Sequence, residues 1–177
     1  MAQHRRIYLD TAAATPVSEV ALAAMKPFWR GAFGNPSSIS KEGVAARRAV
    51  ELARASVARV FGVQPREIIF TSGGTEGNNL AIFGVLGMYP GSGALCVTEH
   101  PSVLAPFRAL EKKGRAVSWI PVDEFGRVDL AVVKKVLAGG ADLVSIMYAN
   151  NEIGTVQPIR EIVKLVRAER MRRNPKD

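Results

Sequence analysis

The sequence predicts an α/β fold built around a mainly parallel sheet. Short apolar segments alternate with amphipathic helical segments, a pattern typical of strands joined by helical crossovers. The 177 residues are 47% hydrophobic and 23% charged, which is the composition of a globular chain rather than a disordered one. Apolar runs such as Leu80–Val85 are too short to cross a bilayer, so we expect no membrane partner.

The first predicted elements are an extended start and two helices. Ile7–Leu9 is the short extended start. Ser18 is predicted to cap a helix that runs to about Lys26, because serine hydroxyls accept hydrogen bonds from free helix N–H groups. Apolar residues at helical spacing predict a long helix over 42–61, and Gly62 is suited to end it.

The rest of the chain is predicted to alternate between strand and helix. Apolar segments predict four strands, over 67–71, 94–98, 116–122 and 143–148. Amphipathic segments predict four helices, over 76–88, 101–113, 129–137 and 159–171. No strand follows the last helix, so we expect the sheet to be incomplete and the chain to be the N-terminal part of something longer.

The charge of the chain is basic, with 24 Lys+Arg against 16 Asp+Glu and a net charge of +8. A basic chain can bind nucleic acid. The basic residues are scattered, however, and the basic tail at 167–177 has no interleaved aromatic residues on which bases could stack. We therefore interpret the charge as solvated surface and expect no nucleic-acid partner.

A single cysteine, Cys96, excludes an internal disulfide and a multi-cysteine zinc site. We expect no metal site, and we expect the protein to be cytoplasmic. Cys96 lies inside the apolar segment 94–98, so we expect a poorly reactive core residue.

The turn Ser72–Thr75 is the first candidate ligand site. Its two glycines, Gly73 and Gly74, stand between a predicted strand and a predicted helix. Free N–H groups at a helix start, with the hydroxyls of Ser72 and Thr75, can bind phosphate. The alternative is a plain strand–helix turn.

Three other segments carry polar side chains suited to a ligand. His100 follows the predicted strand 94–98 and can stack on a planar ligand or exchange a proton. The alternative is a helix-capping or surface histidine, and His4 is interpreted as incidental. Asn150 and Asn151 can hydrogen-bond a ligand or stabilise a turn. The loop 33–38 is a candidate or a simple surface connection.

The ends of parallel strands meet at one edge of a sheet. Segments at 72–75, 98–102 and 148–154 each follow a predicted strand, so we expect them to share one cleft. Together they favour a phosphorylated, planar, aromatic ligand.

Eight segments, in order along the chain, form a recognisable set of motifs: Ile7–Asp10, Ala13–Val17, Phe33–Ser38, Ile68–Glu76, Asn79–Ile82, Thr98–His100, Val144–Met147 and Asn150–Gly154. Their order resembles the cysteine desulfurases, which are pyridoxal 5'-phosphate enzymes of the class V aminotransferase family. The resemblance runs from about residue 7 to residue 166.

The resemblance implies a type I aminotransferase fold, a homodimer and pyridoxal 5'-phosphate as cofactor. The implied reaction removes sulfur from L-cysteine, leaving L-alanine and an enzyme persulfide. A sulfur-acceptor protein would then feed iron–sulfur cluster or tRNA thiolation pathways. The domain organisation implied is an N-terminal segment at 1–15, followed at 16–177 by the first part of the cofactor-binding domain.

The resemblance also assigns roles by position. Gly74 and Thr75 would hold the cofactor phosphate. His100 would stack on the pyridine ring and act in proton transfer, and Asn151 would hydrogen-bond the ring hydroxyl. Ala13 and Asn35 would lie near the substrate.

The chain departs from the family pattern at several points. Ser40 stands where many relatives have histidine, and Asn78 where they often have aspartate. The family's cofactor-bound lysine, in a Ser-His-Lys segment, and its sulfur-carrying cysteine have no counterpart in these 177 residues. We therefore expect the isolated chain to be inactive. Alternatives are another class V enzyme, such as selenocysteine lyase or a small amino-acid aminotransferase, or a non-catalytic phosphate- or nucleic-acid-binding fragment.

Overall fold

The computed structural model describes residues 7–174. It divides into two compact units, with the boundary between Phe70 and Thr71. His4 lies outside the described residues, as does the end of the basic tail after Asn174.

The first unit contains two α-helices that begin at serine caps. Helix α1 spans Glu19–Met25, and a 3-10 turn follows at Lys26–Trp29. Helix α2 spans Lys41–Phe61 and ends at Gly62, whose φ of +66° is in the left-handed region that favours glycine. Both predicted helices and the glycine stop are confirmed. In these caps the Ser18 hydroxyl accepts the N–H of Ala21 at 3.3 Å, and the Ser40 hydroxyl accepts the N–H of Gly43 at 3.2 Å.

The predicted strand over 67–71 is wrong. Pro65–Glu67 forms a 3-10 turn, and Ile69 and Phe70 are 69% and 50% exposed. The carbonyl of Ile68 accepts a hydrogen bond from the Arg54 guanidinium, so its partner is a side chain of α2. An apolar run becomes a strand only beside another strand, and no strand of the described residues pairs with this one; Ile7–Leu9 forms no strand either.

The second unit is a parallel three-stranded sheet in the order β2-β1-β3. The strands are β1 at Ser92–Cys96, β2 at Val117–Ile120 and β3 at Ala141–Ser145. The helices are α3 at Gly74–Leu86, α4 at Pro101–Lys112, α5 at Leu130–Ala138 and α6 at Ile159–Arg173. Seven of the predicted elements are therefore confirmed in type, with ends shifted by a few residues.

Helices cover both faces of this sheet. Leu95 packs in a cluster with residues of α3 and α4, including Leu86 and Phe107. Its neighbours Ala94 and Cys96 pack in a second cluster with residues of α5 and α6. The alternation follows from the two-residue repeat of a strand. It explains why β1, the central strand, has no polar side chain from Gly93 to Leu95 and only a buried thiol at Cys96.

Gly93 is required by the close approach of the helices to β1. A Cβ atom there would lie 2.5 Å from Cε1 of Phe107 and 2.7 Å from Cδ1 of Leu86. Only a residue without a side chain lets the helices α3 and α4 pack at this depth.

The connections from β1 and from β2 lead in opposite directions across the sheet. The chain passes from β1 to β2 on one side and then returns to β3 on the other side of β1. In open α/β sheets, ligands bind outside the carboxyl ends of the strands where the order reverses. Here that position is between the ends of β1 and β3.

Candidate functional site

A cleft of about 310 Å³ opens where β1 and β3 end. Its walls are residues 97–101 after β1, residues 150–153 after β3, and Leu104 of α4. His100 and Asn151 both line it, so the structure brings together two of the residues that the sequence singled out. Among the described residues, no group of three or more His, Cys, Asp or Glu side chains is placed to hold a metal ion.

His100 is both a helix cap and a wall of the cleft. It is the residue before α4, and its Nδ1 accepts the backbone N–H of Ser102 at 3.1 Å. The Ser102 hydroxyl lies 2.8 Å from the same nitrogen. The two interpretations of His100 are thus compatible, because capping uses one ring nitrogen and the exposed ring still faces a ligand-sized space.

The two adjacent asparagines have different surroundings. The Asn150 amide donates to the carbonyl of Thr98 at 3.0 Å, and its Oδ1 accepts the N–H groups of Glu152 and Ile153 at 2.9 and 3.0 Å. Asn150 is therefore the turn-stabilising residue. Asn151 is exposed at the cleft, and the amide at that position is the one open to a ligand.

A buried carboxyl group stands next to His100. Glu99 is 7% exposed, and its Oε1 accepts the hydroxyl of Ser145, the last residue of β3, at 3.1 Å. Burial raises the pKa of Glu99, and hydrogen bonds from Ser145 and the backbone partly offset that rise. Sequence reasoning missed this residue, although a carboxylate at the end of an apolar strand was a usable signal.

The N-terminus of α3 is open as the phosphate interpretation requires. The helix begins at Gly74 without a side-chain cap, and a Cβ atom added at Gly73 or Gly74 would meet nothing within 4 Å. The backbone N–H groups of Gly74 and Thr75 are thus placed to fit an anion.

Ser72 is not available for the same task. Its N–H donates to the Glu76 carboxylate at 2.6 Å. Hydrogen bonds from the Ser72 hydroxyl and N–H lower the pKa of Glu76. The turn predicted to bind phosphate also differs from the prediction in its origin, because it follows the unpaired segment 67–71 and not a strand of the sheet.

Ala13 and Asn35 lie in the first unit. Ala13 is in a turn, where its N–H donates to the carbonyl of Asp10 at 3.2 Å. The Oδ1 of Asn35 accepts the N–H of Ser37 at 2.9 Å, which fixes the turn that precedes α2. This contact uses the acceptor of the Asn35 side chain and leaves its amide hydrogens for other partners.

A buried glutamine fixes the loop that carries Asn151. Gln157, 5% exposed, accepts the N–H of Val128 at 3.0 Å and donates to the carbonyl of Gly126 at 2.7 Å. The Thr155 hydroxyl adds a bond to the carbonyl of Phe125 at 2.6 Å. Sequence reasoning did not find this clamp, because its partners are about thirty residues away.

Cys96 is a core residue, as predicted. It is 2% exposed and packs with Ile120 and Val133. Its Sγ lies 3.1 Å from the Thr98 hydroxyl.

Known proteins similar to this chain are cysteine desulfurases and their structural relatives. The chain is 48% identical over 166 residues to Cysteine desulfurase IscS of Dictyoglomus turgidum, covering 92% of this chain and 42% of the relative. It is 46% identical over 165 residues to Putative cysteine desulfurase IscS 1 of Bacillus subtilis, covering 92% of this chain and 44% of the relative. The chain thus spans less than half the length of these curated relatives.

Solved structures share the fold. A NifS-like protein superposes with a TM-score of 0.87 at 37% identity, over 93% of this chain and 46% of the other. A structure described as SspA in complex with cysteine superposes with a TM-score of 0.85 at 34% identity, over 92% of this chain and 48% of the other. These neighbours confirm the expected desulfurase-like α/β fold, of which this chain covers less than half.

The described helices include none that is long and apolar enough to cross a membrane. The family model for aminotransferase class V matches residues 7–172, which is nearly the whole chain. On this match the chain belongs to the class V aminotransferases, a family of pyridoxal-phosphate enzymes.

Proposed function

We propose that this chain supplies part of the cofactor-binding domain of a pyridoxal 5'-phosphate-dependent cysteine desulfurase. The observation that carries the proposal is the 48% identity to a cysteine desulfurase over 92% of the chain. The cleft at the strand ends supports the proposal, because His100 and Asn151 both lie in its wall. When bound, the cofactor supplies an electron sink for bonds at the amino-acid α-carbon.

Each proposed contact with the cofactor uses a group that the structure leaves open. The N–H groups of Gly74 and Thr75, together with the Thr75 hydroxyl, bind the phosphate at the start of α3. The His100 ring stacks on the pyridine ring, and Asn151 donates a hydrogen bond to its hydroxyl.

The substrate that we propose is L-cysteine. The products are L-alanine and an enzyme persulfide that carries the sulfur. Ala13 and Asn35 are proposed to lie near the substrate, and the segment 1–15 is proposed to precede the domain part at 16–177. Cys96 is not proposed as the sulfur carrier, because a thiol in the core cannot meet a substrate. A homodimer, a sulfur-acceptor protein and a cytoplasmic location complete the proposal.

The cofactor part of the proposal is tested by titrating the chain with pyridoxal 5'-phosphate. Binding is followed by circular dichroism of the cofactor. We expect Asn151→Ala and His100→Ala each to weaken binding about tenfold, since each removes a contact worth about 1.4 kcal/mol. Asn79→Ala is the matched control, because the Asn79 amide donates to the carbonyl of Thr75 within α3 and not to the cleft. Equal binding by all of these variants would contradict the proposed contacts.

The reaction is tested in a chimera. The 165 residues of the Bacillus subtilis relative that align with this chain are replaced by those of this chain. We expect the chimera to release alanine from L-cysteine. A chimera that binds the cofactor but releases alanine only from selenocysteine would contradict the cysteine assignment.

A further inference from the structure

Three side chains form a hydrogen-bonded line that ends on His100. The Nδ2 of Asn78, in α3, donates to the Ser102 hydroxyl at 2.8 Å. The Ser102 hydroxyl lies 2.8 Å from Nδ1 of His100, and the Ser102 backbone N–H donates to the same nitrogen at 3.1 Å. This Asn78–Ser102–His100 line joins the start of the helix α3 to the wall of the cleft.

The chemistry of the donors gives this line one direction. A backbone N–H can only donate, so Nδ1 of His100 must be an acceptor and cannot carry the ring proton. The Asn78 amide nitrogen can also only donate, so the Ser102 oxygen accepts from it and turns its own hydrogen toward Nδ1. A neutral His100 ring with Nδ1 engaged in this way carries its proton on Nε2.

The line is sheltered from solvent in its middle. Ser102 is buried and Asn78 is half-buried. Water therefore competes weakly for the Ser102 hydroxyl, and the hydrogen bonds on either side of it hold the ring in one orientation.

We propose that Asn78 and Ser102 are positioning residues for His100, holding its ring in the Nε2–H form. Nε2 is then the one ring nitrogen that can exchange a proton with a ligand in the cleft. The inference rests on the proposed function, in which His100 lies against the cofactor, and it adds the residues that set the protonation site of that histidine.

The test is the ¹⁵N NMR spectrum of the imidazole in the full 177-residue chain without cofactor. The chain has two histidines, so a His4→Gln background leaves only the signals of His100. Protonated and unprotonated ring nitrogens resonate far apart, and all variants are compared at one alkaline pH. We expect the wild-type ring to show a protonated Nε2 and an unprotonated Nδ1.

Asn78→Asp reverses the line. A carboxylate can only accept, so it takes the Ser102 hydrogen and leaves the Ser102 oxygen to accept from Nδ1. We expect the ratio of Nε2–H to Nδ1–H rings to fall about tenfold, the effect of one hydrogen bond of about 1.4 kcal/mol. Asn79→Asp is the matched control, since it adds the same charge one residue along α3 but faces Thr75, and we expect it to leave the ratio unchanged.

Ser102→Ala provides a second variant if Asn78→Asp does not fold. It removes the hydroxyl and keeps the backbone N–H, so we expect a smaller fall, with Nε2–H still the major form. A wild-type ring protonated on Nδ1 would overturn the proposal. So would the same ratio of Nε2–H to Nδ1–H rings in the wild type, in Asn78→Asp and in Ser102→Ala. Because the spectrum needs neither cofactor nor turnover, the proposed function can fail while this inference holds, and the reverse is equally possible.

Discussion

The side-chain amide of Asn150 donates to the backbone carbonyl of Thr98 across 3.0 Å. This contact ties the loop after β3 to the end of β1, two neighbouring strands whose residues here are 52 positions apart. The cleft that holds His100 and Asn151 lies between these two segments. The Asn150–Thr98 contact therefore sets the spacing of the cleft.

Asn150 and Asn151 should respond differently to the same substitution. Asn150→Ala removes bonds to Thr98, Glu152 and Ile153, so we expect the free energy of unfolding to fall by about 1–3 kcal/mol. Asn151→Ala removes none of these bonds and should lower cofactor affinity with little loss of stability. Urea denaturation and cofactor titration of both variants measure the two effects, and a pair that lost stability equally would contradict the division of roles.

Replacing Gln157, the buried residue of the clamp beneath the Asn151 loop, should lower the free energy of unfolding. Gln157→Met keeps the side-chain length but leaves the Val128 N–H and the Gly126 carbonyl without their buried partner. We expect a loss of about 2–4 kcal/mol in the free energy of unfolding.

The control for Gln157 is Arg127→Met. Arg127 lies between the two partner residues, and its side chain is exposed. Chemical denaturation should show little change for this variant. If both methionine variants unfolded at the same urea concentration, the clamp would not be the cause of the stability.

Glu99 should make stability depend on pH. Burial raises its pKa above the ordinary value of 4.5, so the native state holds the proton more tightly than the unfolded state. Its stabilising contribution is complete below pH 4.5 and is lost as the pH rises through the raised native pKa. Glu99→Gln should flatten this slope, as measured by urea midpoints across the acidic range.

Ser145→Ala should strengthen the pH dependence of stability that Glu99→Gln weakens. The Ser145 hydroxyl lowers the pKa of Glu99 by hydrogen-bonding its charged form. Removing it should widen the pH range over which stability falls. A slope unaffected by either substitution would show that Glu99 does not titrate differently in the native state.

Arg173 should contribute more to stability than its neighbour Arg172. Arg173 donates to the carbonyls of Leu137 and of Ala141, the latter at 3.3 Å, so it joins α6 to the end of α5 and the start of β3. Arg172 is exposed and binds only Glu169 among the contacts of the described residues. We expect Arg173→Ala to cost about 1–2 kcal/mol and Arg172→Ala to cost little, measured by thermal unfolding.

Arg172 and Arg173 refine the prediction that the basic tail is solvated surface. Solvated surface describes Arg172, but Arg173 is partly buried against the second unit's own helices and strand. Hydrogen bonds from both arginines lower the pKa of Glu169 to about 2. The charge pattern alone could not separate two adjacent arginines, because the carbonyl partners that distinguish Arg173 lie more than thirty residues away.

Features that depend on near neighbours in the chain were predictable. The cap at Ser18 and the stop at Gly62 are contacts within a few residues, so local chemistry specifies them. The one wrong strand, over 67–71, shows the limit of that reasoning. Its apolar composition suits a strand, but a strand also needs a partner, and the local sequence does not reveal one.

Local sequence was enough to order the elements, to place His100 at the end of a strand and to indicate the family by its motifs. Three-dimensional packing alone distinguishes Asn151 at the cleft from Asn150 in the turn, and joins Asn78 to His100 through Ser102. It also closes the Gln157 clamp and buries Glu99 beneath Ser145. The physical reason is that, apart from the short Ser102–His100 contact, these hydrogen bonds join residues 24 to 52 positions apart, and such pairs meet only once the sheet and its helices have formed.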